Sequence, residues 1–434
     1  MMNLQDLTRL SRPELAAYAD GLRAEYLKYK AQPLGINMAR GRPAPDQLDL
    51  SDDLFNVGSE QVGFYSEDGS DCRNYGNLCG IVEARRLFSE VFGVPIENVI
   101  ACGASSLNLM FDFFAQCCYL GVGGNPPWKK QGNVKYIAVV PGYDRHFAIA
   151  QFFGVELVSV PMTPTGPDMD RVRELVKDPL VKGMFCVPKY SNPDGTVYSD
   201  ETVDAIAALR PAAPDFRVIW DEAYQMHDLY EKSPEQLNIF DAALKYGNER
   251  NFVAFASTSK ITFAGAGVAA MAASEITLQE ILARLTVQII SYNKVNQLKH
   301  SYLYKTKADL EAQTRRHAEI LRPKFDTVIK GLHEGLDGAG VADFTEPRGG
   351  YFISLNVNVG SARRAGELCK AAGLTLTPVG ATYPYGVDPN DANIRIAPSC
   401  PSVAELEEAT KLLTLAVRLA ACEELLGETK EAAP

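Results

Sequence analysis

Positive charge is in short supply: 43 lysines and arginines against 54 aspartates and glutamates leave the 434 residues with a net charge of −11. Phosphate-rich surfaces reward a positive field, so neither nucleic acid nor an anionic membrane is expected as a partner. An anionic small substrate needs only local positive charge and stays possible. Long apolar runs are missing as well. The most apolar stretch, 99–122, is interrupted by Asn108, Asp112 and Gln116 and falls short of a membrane span. No basic segment followed by an apolar one stands at Met1 to Leu7, so no export leader is expected. The nine cysteines are odd in number, lack C-x-x-C spacing and mostly lie in apolar runs. That excludes a disulfide framework and reads as buried free thiols in a reducing, cytoplasmic compartment, with no metal site expected. There is no internal repeat and no low-complexity tract, and 46% apolar with 22% charged residues describes an ordinary folded protein. The length suits two or three domains, or one large α/β domain with a satellite.

What is present is a series of short, continuously apolar runs: 99–102, 136–140, 155–160, 183–187, 218–220, 252–256 and 268–273. Each is separated from the next by helical or loop sequence. Strands buried on both faces look like this, so a mostly parallel, seven-stranded sheet flanked by helices is expected. Ahead of it, 4–31 has helical spacing, with Ser11-Arg12-Pro13-Glu14 as cap, early proline and acidic first turn. After Glu275 the chain reads as helical for some 60 residues, through the amphipathic stretch 307–332. Strands at 351–357 and 393–397 then alternate with helices at 361–372 and 402–426. The predicted organisation is an N-terminal helical arm with part of a small domain (1–49), a large domain (50–305) and a small α+β domain (306–434), the last few residues frayed.

Ligands of open parallel sheets collect outside the carboxyl ends of the strands. Gly103-Ala104-Ser105-Ser106 follows the first run and opens a helix, where backbone N–H groups and the dipole can hold an anion. Tyr143 and His146 follow the second, Asn192-Pro193-Asp194-Gly195 the fourth, and Asp221-Glu222-Ala223-Tyr224 the fifth. The sixth run delivers Ser257-Thr258-Ser259-Lys260 into a glycine-rich loop, where a partly desolvated amine would sit if it formed a Schiff base. Taken singly, each tip has an ordinary explanation: a serine cap, a packing tyrosine, a structural histidine, a turn, a salt-bridge partner, a solvated lysine. Together they supply an anion cradle, an aromatic plate, an amide, a carboxylate and a lysine. Those parts hold a phosphorylated aromatic aldehyde with a basic ring nitrogen.

In this ordered set, together with Tyr75-Gly76-Asn77-Leu78-Cys79-Gly80 and Arg395, the chain resembles the fold-type I pyridoxal-phosphate-dependent aminotransferases of class I/II. It looks most like the aspartate aminotransferase Ic subgroup. The resemblance implies that Lys260 carries the cofactor covalently and moves the substrate's Cα proton. It implies that Asp221 pairs with the ring nitrogen with His146 behind it, and that Asn192 and Tyr224 hydrogen-bond the phenolic oxygen. Tyr143 would stack on the ring, and Ala104, Ser105, Ser106 and Ser257 would hold the phosphate, with Tyr75 reaching in from the second subunit of a homodimer with shared sites. Arg395 would bind the substrate α-carboxylate as a bidentate fork. The implied reaction moves an amino group between aspartate or glutamate and a 2-oxo acid by ping-pong kinetics.

Two departures from the family pattern stand out. Val268 occupies the place where many relatives carry a phosphate-binding arginine, and no arginine after Glu275 matches the ligand of a side-chain carboxylate. Arg40, in the 39–43 loop, and Lys294 are candidates for that subsite, and Gly41 and Asn192 are expected to line the substrate site. Aromatic or alanine specificity, or a lyase reaction on the same cofactor, are the alternatives. A dinucleotide fingerprint at Gly265-x-Gly267-x-x-Ala270 fails in context, because the glycines lead into a strand with no acidic residue about 20 positions on. A regulator built on a pyridoxal-phosphate-binding body would need a DNA-binding module, and the roughly 30 residues before Asn37 are too few for one.

Overall fold

All seven apolar runs are strands of one sheet in the computed structural model, which describes residues 6–428 apart from 232 and 234. In chain order the strands are β1 (Val99–Ala101), β2 (Lys135–Val140), β3 (Glu156–Thr163), β4 (Gly166–Pro167), β5 (Val181–Cys186), β6 (Arg217–Asp221), β7 (Phe252–Ser257) and β8 (Ala269–Ala273). Their spatial order is β1-β8-β7-β6-β5-β2-β3-β4. The sheet therefore has eight strands rather than seven. The addition, β4, is a two-residue antiparallel edge too short to leave an apolar run. The pairs from β7 through β6, β5 and β2 to β3 are parallel, and β8 runs antiparallel to both of its neighbours.

The uninterrupted apolar character of the central strands follows from burial on both faces. Met184, Val218 and Phe252 pack into one core while Phe185, Ile219 and Val253, one position on, pack into the other. Every residue of β5, β6 and β8 is buried.

A second, smaller sheet is antiparallel throughout: β9 (Ala342–Phe344), β10 (Ile353–Val357) and β11 (Asn393–Ile396) lie in that order. The Ala-Asp-Phe of β9 alternates instead of running apolar, which is why sequence pattern passes it by. Helix Arg12–Ala31 joins this unit, burying Leu15, Ala19 and Leu22 in one core with Leu412, Leu413 and Leu419 of helix Val403–Leu426. Its start is the expected one, with the Glu14 carboxylate accepting from the Ser11 N–H at 2.9 Å. The long helical stretch after Glu275 is three helices, Glu275–Gln288, Lys294–Leu303 and Lys307–Leu336. Among the described residues no helix is long and apolar enough to cross a membrane. All nine cysteines are free.

One loop is stitched along the small sheet and another joins that sheet to the large one. Met38 donates its N–H to Thr375 O (2.8 Å) and accepts from the Ala397 N–H (3.0 Å), so the 37–44 segment is stitched beside β11. Gly142, just past β2, donates to Thr382 O at 2.8 Å. These contacts bring Arg395, in the middle of β11, over the carboxyl ends of the large sheet.

Candidate active site

Sheet order explains the site before any side chain is considered. β7, β6, β5 and β2 are successive neighbours, so Lys260, Asp221, Asn192 and Tyr143, which follow or end them, emerge side by side. A small cavity lies there, with Ser106, Tyr143, Asn192, Asp221, Tyr224 and Lys260 among its walls and Val187 and Ala223 as apolar lining.

Asp221 is the buried end of this cavity, with 3% of its surface exposed. One carboxylate oxygen lies 3.0 Å from His146 Nε2 and the other accepts from the Ala223 N–H at 3.2 Å. His146 is itself buried and stacked flat on Phe185, with ring centroids 4.8 Å apart, while Tyr143 meets its edge. The carboxylate is thus held by a ring that cannot rotate away. Burial pushes the Tyr143 hydroxyl up to about 12 and the Tyr224 hydroxyl above its usual range, the Asp221 charge adding to both. Both phenols are therefore hydrogen-bond donors at any physiological pH. The Lys260 Nζ lies over the Tyr224 ring, 4.8 Å from its centroid.

On the other side of Lys260 the chain turns tightly. The Ser257 Oγ and Ser259 Oγ both donate to the Ala104 carbonyl, at 3.1 and 2.7 Å, and this closes β7 onto the loop after β1. Ser105 caps helix Ser106–Tyr119 by accepting from the Asn108 N–H. A helix N-terminus flanked by four serines is a fit place for a phosphate group. Val268 is 2% exposed and packed in the hydrophobic core, so this position turns away from the site and could not supply the missing cation.

Arg395 stands at the mouth, 7% exposed. Its Nη1 donates to Asn192 Oδ1 (3.2 Å) and Asp144 Oδ1 (2.9 Å), its Nε donates to Thr377 Oγ1 (3.2 Å), and its plane covers Phe352 at 4.9 Å. Gly41 is required by that stack: a Cβ there would come within 2.5 Å of the Phe352 ring. The other sequence candidates are less central. Arg40 is exposed and its side chain has no partner among the described residues. Lys294 is buried and donates to Gly76 O at 3.0 Å, so its ammonium is used in the fold rather than offered to the cavity. Tyr75 is 74% exposed, outside the cavity of its own chain.

Several residues of this neighbourhood escape sequence reasoning. Ser259 and Asp144 lie beside residues of recognisable chemistry and Thr377 in an ordinary loop, and none of the three carries a signal of its own. Beneath Lys260 lies a further layer: Tyr351 donates to Lys260 O (3.3 Å), and Gln47 Nε2 donates to Tyr351 Oη (3.0 Å) and lies 2.9 Å from His317 Nδ1. His227 packs against Tyr224 and Tyr351, and neither of its ring nitrogens has a hydrogen-bond partner among the described residues. Burial, with the nearby Lys260 charge, drops His227 to about 3, and burial drops His317 to about 4.

Both imidazoles are neutral when folded and protonate near pH 6.5 when unfolded. Their contribution to stability is complete above that pH. It declines by about 1.4 kcal/mol per pH unit for each ring as pH falls toward the folded values, because only the unfolded chain takes up the protons. The urea midpoint is expected to fall steadily between pH 6 and 4.5, and His227→Gln to make that slope shallower. An unaltered slope in the variant would assign the acid sensitivity to other groups.

Residues 10–429 match the aspartate amino-transferase family. An aspartate aminotransferase of Corynebacterium glutamicum is 42% identical over 424 residues, 98% of each chain. The crystal structure of an aspartate transaminase from that organism superposes with a TM-score of 0.94 at 43% identity, covering 96% of this chain and 99% of the other. An α-aminoadipate aminotransferase of Thermus thermophilus, complexed with N-(5'-phosphopyridoxyl)-L-leucine, shares the fold at a TM-score of 0.70 and 19% identity, covering 94% and 98%.

Proposed function

The chain belongs to the aspartate aminotransferase family and is a fold-type I aminotransferase, and from that premise we propose that it binds pyridoxal phosphate at Lys260 and uses aspartate or glutamate as amino donor. The family implies the cofactor. The observation that carries the reading is the convergence of Lys260, Asp221, Asn192 and Tyr224 on one cavity, with a serine-flanked helix N-terminus at its side.

The residues fit the cofactor by their chemistry. Bound there, pyridoxal phosphate supplies a sink for the electron pair left when the substrate's Cα loses its proton. The Asp221 carboxylate, buried and fixed by His146, favours a protonated ring nitrogen. Asn192 and the Tyr224 hydroxyl would be the donors for a phenolic oxygen, Tyr143 the plate over the ring, and Ser105 and Ser106 the phosphate's hydroxyls, joined by Ser257 if its hydrogen turns from the Ala104 carbonyl. Lys260 Nζ would be the covalent anchor and the base that carries the Cα proton. Arg395, backed by Thr377 and Phe352, receives the α-carboxylate. Tyr75, exposed on its own chain, is the residue expected to complete the site of a second copy in a homodimer.

The donor is tested by a half-reaction screen. The yellow holoenzyme is mixed with single amino acids, and the shift of its visible band to the near-ultraviolet band of the aminated cofactor is recorded. Aspartate and glutamate are expected to drive the shift at millimolar concentration. If only aromatic amino acids or alanine do so, the dicarboxylate assignment is wrong, while aminotransfer stands.

A further inference from the structure

Arg395 has five N–H donors, two on Nη1, two on Nη2 and one on Nε. Three are committed, to Asp144, Asn192 and Thr377, and Nη2 has no partner among the described residues. A carboxylate gripped as a fork must take hydrogens from two different nitrogens. Nη2 alone cannot provide this, so one existing partner has to leave Nη1 or Nε.

The three partners are not equally free to go. Thr377 is buried, and its hydroxyl is anchored by donating to Ala39 O at 2.7 Å. Asn192 is 3% exposed and lines the cavity wall. Asp144 is the remaining partner and the one anion of the three; its side chain is 32% exposed and sits on the first residue of helix Asp144–Phe152. Exchanging its carboxylate for that of a substrate leaves the guanidinium neutralised throughout, whereas removing either neutral partner would crowd a second anion onto an occupied Arg395. The Asp144 charge is also felt by Tyr143 and Tyr224, which places it at the cavity's edge.

We propose that Asp144 is a specificity-determining residue that occupies the carboxylate-binding face of Arg395 in the free enzyme and competes with the substrate's carboxylate for it. The proposal rests on Arg395 receiving that carboxylate, as argued above. Arg395 stays oriented without Asp144, because Thr377, Asn192 and the Phe352 ring still hold it. Once displaced, Asp144 remains close enough to disfavour a second negative charge, so it also narrows the preference for dicarboxylates.

The test is Asp144→Asn in the pyridoxal-phosphate-loaded enzyme, read by steady-state kinetics with the best donor and by calorimetric titration of succinate and of butyrate. KM and both dissociation constants are expected to fall roughly tenfold, more for succinate than for butyrate, with kcat within about twofold of the parent. Asp144→Glu, whose carboxylate can still reach Arg395, is expected to restore the parent affinities. Unchanged or weaker carboxylate binding in Asp144→Asn, or a fall in kcat at constant KM, would overturn the proposal. Should Asp144→Asn not fold, Asp144→Ser carries the same readings. The titrations do not depend on turnover: a parent enzyme inactive with every amino acid would refute the aminotransfer reading, and the affinity comparison would still judge Asp144.

Discussion

Lys260→Ala is expected to lower turnover with aspartate and 2-oxoglutarate by at least roughly 10³-fold, because one nitrogen serves both as anchor of the cofactor and as carrier of the Cα proton. The fold should survive. Lys260 is half-buried at the end of the short turn Thr258–Lys260, and that turn is held by others: Thr258 accepts from the Val268 N–H at 2.9 Å, and Ser257 and Ser259 are tied to Ala104. What the substitution removes is the contact between the ammonium and the Tyr224 ring. Melting temperature should therefore change by only a few degrees. Borohydride reduction of the parent followed by peptide mapping should place the cofactor on the peptide containing Lys260, and the variant should lose that label. Retention of a tenth or more of the parental rate would show that another group moves the proton.

Asp221→Asn is expected to cost roughly 10²–10³ in kcat, the range for loss of one fixed charge aimed at the reacting system. The asparagine keeps the volume and one acceptor for the Ala223 N–H, so packing is nearly unchanged. What disappears is a negative charge sealed in a place where water cannot replace it, next to an imidazole clamped between Phe185 and Tyr143. Asp221→Glu retains the charge but not the length, and should recover part of the rate. Equal rates for Asp221→Asn and the parent would mean that this charge does not support the reaction. The visible band should shift in Asp221→Asn even at full occupancy, which separates loss of the charge from loss of the cofactor.

The two substitutions act on groups that sequence alone singles out, and the reason is local. Lys260, Asp221, Asn192 and Tyr143 each follow an apolar run that can only be a buried strand, and the ends of parallel strands are where such a sheet offers polar groups. The residues that sequence misses are of another kind. Thr377 and Asp144 matter because a guanidinium from a strand about 250 positions after Asp144 lands on them. His227 and Gln47 matter because they are buried under Lys260 beside Tyr351 and His317, from four separate parts of the chain. No spacing rule connects such positions.

Val268 shows the same division. Its identity reveals that the expected arginine is absent, but only burial in the core shows that the position faces away from the site. Lys294 is a candidate by charge until its ammonium is seen bonded to Gly76 O.

The sequence by itself determined the seven apolar strands of the large sheet, their mostly parallel arrangement, and the family to which the ordered polar tips point. These are properties of burial period and local order, which neighbouring residues encode. Only the tertiary structure decided which strands are neighbours, hence which tips share a cavity, and which donors of Arg395 are already taken. Those depend on contacts between residues far apart in the chain, where free energy is set by geometry and burial that no single segment carries.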